Sequence, residues 1–182
     1  MNARSEAVAS GTGAVPFDLE ATFRAHYERI ARVIGRVVRD PARAEELAVE
    51  VFLKLWRNPA AQGPAMECPA MEAWLYRTAV RAGLDELRRR TRRDRREQLF
   101  GFLRPVPDPE QTRSANEQRD RVQAVLAALA PRQAEMLVLR SHGLSYGELA
   151  SALEINPASI GTLLARAQEA FRKEYVNRYG EQ

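Results

Sequence analysis

A chain of 182 residues that is 45% hydrophobic and 29% charged has a soluble, globular composition, with room for one domain or two small ones. No stretch approaches the roughly 20 uninterrupted apolar residues that span a bilayer, and the start lacks the basic-then-apolar pattern of a secretory signal, so a cytoplasmic protein is expected. The net charge of +4 hides an asymmetry: residues 81–96 hold eight Arg against Asp85, Glu86 and Asp94, an excess of five, which leaves the rest at −1. Charge concentrated in this way suits a polyanionic partner.

Residues 1–16 are small and polar, show no periodicity and read as a mobile tail. From Phe17 the pattern turns helical, with Phe23, Tyr27, Ile30, Ile34 and Val37 recurring at steps of four and three on one face. Asp40-Pro41 then restarts a helix, because Asp caps free N–H groups and Pro fits the first turn. This second helix runs to about Arg57. It turns Ala44, Leu47, Ala48, Val51, Phe52 and Leu55 to one side, and Glu45, Glu46, Glu50 and Lys54 to others. Pro59, Gly63, Pro64 and Pro69 predict a loop.

A third helix begins near Met71 and carries Trp74, Leu75, Ala79, Ala82, Leu84 and Leu87 before dissolving into arginines after Arg88; its small Ala79, Ala82 and Gly83 permit close helix approach. Gly101, Pro105, Pro107 and Pro109 mark an interdomain linker. Periodicity resumes around Asn116 with Val122, Val125, Leu126 and Leu129, and Pro131 opens another helix to about Ser141. After a turn at Gly143, Ser145 and Glu148 have capping-box spacing, and Leu149, Ala150 and Leu153 follow on a short helix. Asn156-Pro157 repeats the cap-plus-Pro signal before Ile160, Leu164, Ala167 and Phe171. Two helices across so tight a turn make a helix-turn-helix. The expected fold is all-α: a tail (1–16), a first helical domain (17–96), a linker (97–117) and a helix-turn-helix domain (118–182).

One Cys68 and two histidines, His26 and His142, cannot build a disulfide framework and fall short of a zinc site, so they read as turn, surface or core residues. No metal and no cofactor are expected. No nucleophile–base pair or Gly-rich phosphate loop is apparent, so no enzymatic chemistry and no small-molecule substrate are expected either.

Three segments carry a family resemblance. The run Ala44-Glu45-Glu46-Leu47-Ala48-Val49-Glu50-Val51-Phe52-Leu53-Lys54-Leu55-Trp56 resembles the polymerase-binding helix of bacterial extracytoplasmic-function sigma factors. Trp74-Leu75-Tyr76-Arg77-Thr78-Ala79, continuing to Leu84-Asp85-Glu86-Leu87-Arg88-Arg89-Arg90, resembles their promoter-melting helix. Leu129-Ala130-Pro131-Arg132-Gln133, with Gly143 to Ala150, resembles their C-terminal DNA-binding domain.

The resemblance implies a sigma factor that binds core RNA polymerase, directs promoter recognition and opening, and meets promoter DNA, with an anti-sigma protein as a possible further partner. It places polymerase contact on Glu45, Glu46, Glu50 and Lys54, with Val49 where the family often has Gln. Minus-ten contact falls to Tyr76, Arg77, Arg81, Arg88, Arg89, Arg92 and Arg93. Trp74, on the apolar stripe, reads first as core, and Arg81 stands where the family typically has Asn. Minus-thirty-five contact falls to Ser145, Asn156, Ser159, Thr162 and Arg166. Gly161 and Leu163 occupy positions where the family commonly has Lys and Arg, so weak minus-thirty-five recognition is expected. Leu163 reads most simply as core. Two other functions compete: a stand-alone helix-turn-helix regulator, and a sigma-like decoy that binds an anti-sigma protein.

Overall fold

The computed structural model describes residues 17–58, 68–99 and 110–180, and every regular element among them is helical. Helices α1 (Leu19–Val38), α2 (Pro41–Trp56) and α3 (Cys68–Leu99) form a first group. Helices α4 (Glu110–Ala128), α5 (Pro131–Ser141), α6 (Tyr146–Leu153) and α7 (Ile160–Tyr179) form a second, with a 3₁₀ turn over Pro157–Ser159 ahead of α7. The readings made on residues 1–16, on most of the Pro-rich loop, on the middle of the linker and on the Cys68 side chain lie outside the described residues.

Local chemistry sets the helix starts. Asp18 caps α1 by accepting from the Ala21 N–H at 3.0 Å, and Asp40 caps α2 by accepting from the Arg43 N–H at 3.1 Å, with Pro41 in the first turn. The box at α6 is complete: the Ser145 N–H donates to Glu148 at 2.7 Å, and the Glu148 N–H donates to Ser145 Oγ at 3.3 Å. Gly143 takes φ +88, which explains a glycine at the α5–α6 turn.

Two boundaries differ from the sequence reading. Instead of dissolving after Arg88, α3 runs unbroken to Leu99. Arginine is a good helix former, and the Asp85–Arg88 and Glu86–Arg89 pairs one turn apart offset part of the cationic repulsion. Helix α4 begins at Glu110, six residues before Asn116, in a polar first stretch without apolar periodicity.

In the first group Ile30, Ile34, Val51, Leu55, Leu75, Val80 and Leu84 are almost wholly excluded from solvent, each burial being worth about 1.5–3 kcal/mol. Phe23, Tyr27 and Phe52 close one end as an aromatic cluster. A Cβ on Gly83 would lie 3.2 Å from Val37 Cβ, so this glycine lets α3 press directly on α1. In the second group Leu139, Leu149, Leu153 and Ile160 form the centre. The groups are packed together: α5 and α6 lie against α3, and one buried apolar cluster runs through both.

Candidate polymerase and promoter interfaces

The outer arc of α2 combines charge with unburied apolar surface. Glu45, Glu46, Glu50 and Lys54 are all exposed there. Between them Val49, Leu53 and Trp56 recur at steps of four and three, exposed at 42%, 41% and 55% although large and hydrophobic. Arg43 sits at the edge of this face and gathers carboxylates from two helices: Glu46 at 2.7 Å, Glu50 at 3.7 Å and, from α3, Glu86 at 3.1 Å. Hydrogen bonds to Glu46 and then Glu86 raise the Arg43 pKa above its ordinary value and keep the guanidinium charged. Glu46 and Glu50 are thus held from one side by Arg43 while remaining exposed, as is Glu45.

Along α3 the cationic residues fall into two environments. Towards its C-terminal end Arg89, Arg92, Arg93, Arg95 and Arg96 are exposed, whereas Arg88 is half-buried, 3.4 Å from Asp85, with its Nη2 buried and unpartnered. Towards its N-terminal end the second domain covers the helix. Tyr76 is buried, with the Arg29 guanidinium 5.0 Å from its ring centre and its hydroxyl lacking a partner. Arg77 pairs with Glu154 at the end of α6. Arg81 donates from Nε to Glu135 Oε1 at 3.0 Å and from Nη2 to Oε2 at 3.3 Å. Trp74 is half-buried against the core, as its place on the apolar stripe implies.

Within the helix-turn-helix, two of the residues assigned to DNA also act as helix caps. Ser145 Oγ accepts from the Glu148 N–H, and Asn156 Oδ1 accepts from the Ala158 N–H at 3.0 Å. Thr162 and Arg166 are exposed on α7, and Ser159 is half-exposed at its start. Leu163 is half-buried and packed on the core. Gly161 is exposed, and a Cβ there would meet the Tyr146 ring at 3.8 Å, an ordinary contact, so packing does not require a glycine.

Comparison with known proteins matches residues 22–93 to Sigma-70 region 2 and residues 119–170 to Sigma-70 region 4. The chain is 32% identical over 164 residues to the ECF RNA polymerase sigma factor SigK of Mycolicibacterium vanbaalenii, covering 86% of this chain and 82% of that one. The chain belongs to the ECF sigma factors.

A SigK from Mycobacterium tuberculosis strain H37Ra is 29% identical over 165 residues, covering 84% of this sigma factor and 83% of that one. Among solved structures, CnrH in complex with the cytosolic domain of CnrY shares the fold, with a TM-score of 0.52, 18% identity and 85% of each chain covered. The region 2 match takes in the outer arc of α2 and the arginines of α3 as far as Arg93, and the region 4 match takes in the helix-turn-helix.

Sequence reasoning about this sigma factor missed the Val49–Leu53–Trp56 stripe, although its spacing was available: once the buried positions of α2 are assigned, these apolar residues recur on the opposite arc. Three ionisable groups near the domain junction have shifted pKa values, of which only the Glu148 contact, as part of the capping box, was anticipated. Glu154 has its pKa lowered by the Arg77 hydrogen bond and charge, and Glu148 by its bonds to Ser145. His142 is held below its ordinary value, first by burial and then by Arg36, whose Nη1 lies 3.5 Å from His142 Nδ1. Among the described residues no helix is long and apolar enough to cross a membrane, and no group of three or more His, Cys, Asp or Glu could hold a metal.

Proposed function

We propose that this sigma factor engages core RNA polymerase through the outer arc of α2 and applies the arginines of α3 to promoter DNA. The observation that carries the reading is the α2 arc itself. An exposed apolar stripe flanked by carboxylates is the surface expected of a helix that docks on a basic, partly apolar partner. Glu45, Glu46 and Glu50 supply the complementary charge, and Val49, Leu53 and Trp56 supply the apolar area.

On α3, Arg89, Arg92 and Arg93 contact phosphates by displacing condensed counterions, with Arg88 at the inner margin. Tyr76, Arg77 and Arg81 face the unpaired strand of the minus-ten element once the second domain has moved aside. The helix-turn-helix contributes less. Its exposed face offers Ser159, Thr162 and one cation, Arg166, while Ser145 and Asn156 hold the motif together as caps. Minus-thirty-five recognition is therefore weak and permissive. The protein acts as a specificity subunit in the cytoplasm and needs no cofactor or chemistry of its own; an anti-sigma protein is a further partner compatible with the reading.

Charge reversal tests it. Glu46→Lys with Glu50→Lys abolishes binding to core polymerase while the free protein stays folded, with a melting temperature lowered only by loss of the exposed Arg43 pairs. Unchanged polymerase binding with retained anti-sigma binding supports a decoy instead, and a sequence-specific duplex shift without polymerase supports a stand-alone regulator.

A further inference from the structure

Beside the arginine-rich part of α3, where α4 and the last turn of α7 meet it, lies a cavity of about 210 Å³. Arg88 and Arg92 of α3 and Arg178 of α7 line it. We infer that this cavity binds a small phosphorylated anion, of which diphosphate is the simplest, through the three guanidinium groups.

Three features carry it. First, among the described residues that line the cavity three are arginines and none is acidic. Arg88 and Arg92 stand one turn apart on α3, a like-charged spacing that destabilises a helix, and Arg178 adds a third positive charge from α7. Second, these guanidinium groups keep donors to spare. Asp85 lies 3.4 Å from Arg88 Nη1, and Glu174 lies 2.6 Å from Arg178 Nε. Each carboxylate meets one nitrogen of a group that carries five N–H donors, and Arg88 Nη2 is buried without an acceptor. Thr91 commits its hydroxyl proton to the Leu87 carbonyl at 2.9 Å, so recognition falls to the arginines. Third, the space exists because the α4 side chains at its floor are small: Ala124, Ala127 and Ala128 recur at steps of three and one, four across the set. Arg92, Ala128 and Arg178 are exposed, so the cavity opens to solvent.

The chemistry selects phosphate. A planar guanidinium grips phosphate oxygens two at a time, and three of them suit a multiply charged group better than a single carboxylate. The cavity has room for several waters, which a diphosphate displaces and a monoatomic anion does not. Occupancy has a consequence for transcription, because Arg88 and Arg92 are also placed on DNA: a bound anion competes with the promoter backbone for them. That consequence rests on the promoter role proposed for α3, whereas binding of the anion does not.

The test titrates the free full-length chain calorimetrically with inorganic diphosphate at constant ionic strength. Wild type should bind one equivalent saturably. Arg178→Gln removes one guanidinium, and Ala128→Glu, at an exposed site, plants a carboxylate on the cavity floor. Each should weaken binding roughly tenfold while the chain stays folded. Arg172→Gln, exposed on α7 outside the lining, matches the charge change and should leave affinity within about twofold. No saturable binding by wild type overturns the inference, and so does an equal loss in Arg172→Gln, the mark of diffuse attraction to a basic protein. Weaker duplex binding by Arg178→Gln, when diphosphate does not bind wild type, assigns the arginines to DNA alone and likewise overturns it. Competition reads the promoter role separately. Diphosphate should weaken duplex binding by wild type at fixed ionic strength; its failure to do so leaves the anion site standing and removes Arg88 and Arg92 from DNA contact.

Discussion

Truncating Leu53 isolates the apolar part of the α2 surface. Its side chain makes no contribution to the buried core cluster and is 41% exposed, so that fraction of its area is free to be buried by a partner. Full burial of a leucine is worth about 1.5–3 kcal/mol, so covering the remaining fraction contributes about 0.6–1.2 kcal/mol. Leu53→Ala should therefore weaken core polymerase binding about three- to eightfold, measured by fluorescence anisotropy of the labelled sigma factor titrated with core enzyme. Stability should change by no more than about 0.5 kcal/mol, because the site is on the surface and alanine is a strong helix former. Leu55→Ala on the buried side is the informative contrast, destabilising the fold by about 2–5 kcal/mol. Wild-type polymerase affinity in Leu53→Ala would refute the assignment of this arc as the docking face.

The remaining predictions concern DNA, helix α7 and pH. Arg92→Ala/Arg93→Ala should weaken non-specific duplex binding uniformly across sequences and lower the slope of log K against log salt by about 0.9 per lost phosphate contact; an unchanged slope places these arginines away from DNA. Gly161→Ala should raise stability by about 1 kcal/mol in chemical denaturation, because the helix accepts a Cβ at ordinary contact with Tyr146; destabilisation contradicts that geometry. Burial first, and then Arg36, hold the His142 pKa below the ordinary 6.5, so the fold favours the neutral ring. The stabilisation linked to it is present above that value and lost as pH falls through the lower folded one. Arg36 adjoins the ring, and Arg29, Glu72 and Glu148 line a cavity beside it. The melting temperature should thus fall between pH 7 and 5.5 by more in wild type than in His142→Gln, and equal falls remove His142 from the account.

Much of this was legible in the sequence because it is written in local chemistry. Asp40-Pro41, Ser145 with Glu148, and Asn156-Pro157 announce helix starts through side chains that satisfy nearby N–H groups, and each does so in the structure. The buried stripes of α1, α2 and α7 follow from spacing alone. The length of α3 was not legible, because a run of arginines reads equally as a solvated end and as a helix. Which surface covers Tyr76, Arg77 and Arg81 was less accessible still. Periodicity says that a face is apolar or charged, but not which distant element meets it, and the partners Glu135 and Glu154 lie 54 and 77 residues away. Ser145 and Asn156 also accept local capping bonds, through Oγ and Oδ1, which leaves the Ser145 hydroxyl proton and the Asn156 amide N–H groups as donors.

Run-off transcription from a genomic fragment library, with purified core polymerase and this chain as the sole initiation factor, tests the central claim most directly. Discrete transcripts should appear that depend on the chain, share an upstream sequence element and vanish with Glu46→Lys/Glu50→Lys. Absence of any chain-dependent transcript, from core enzyme that initiates normally with another sigma factor, would contradict the account.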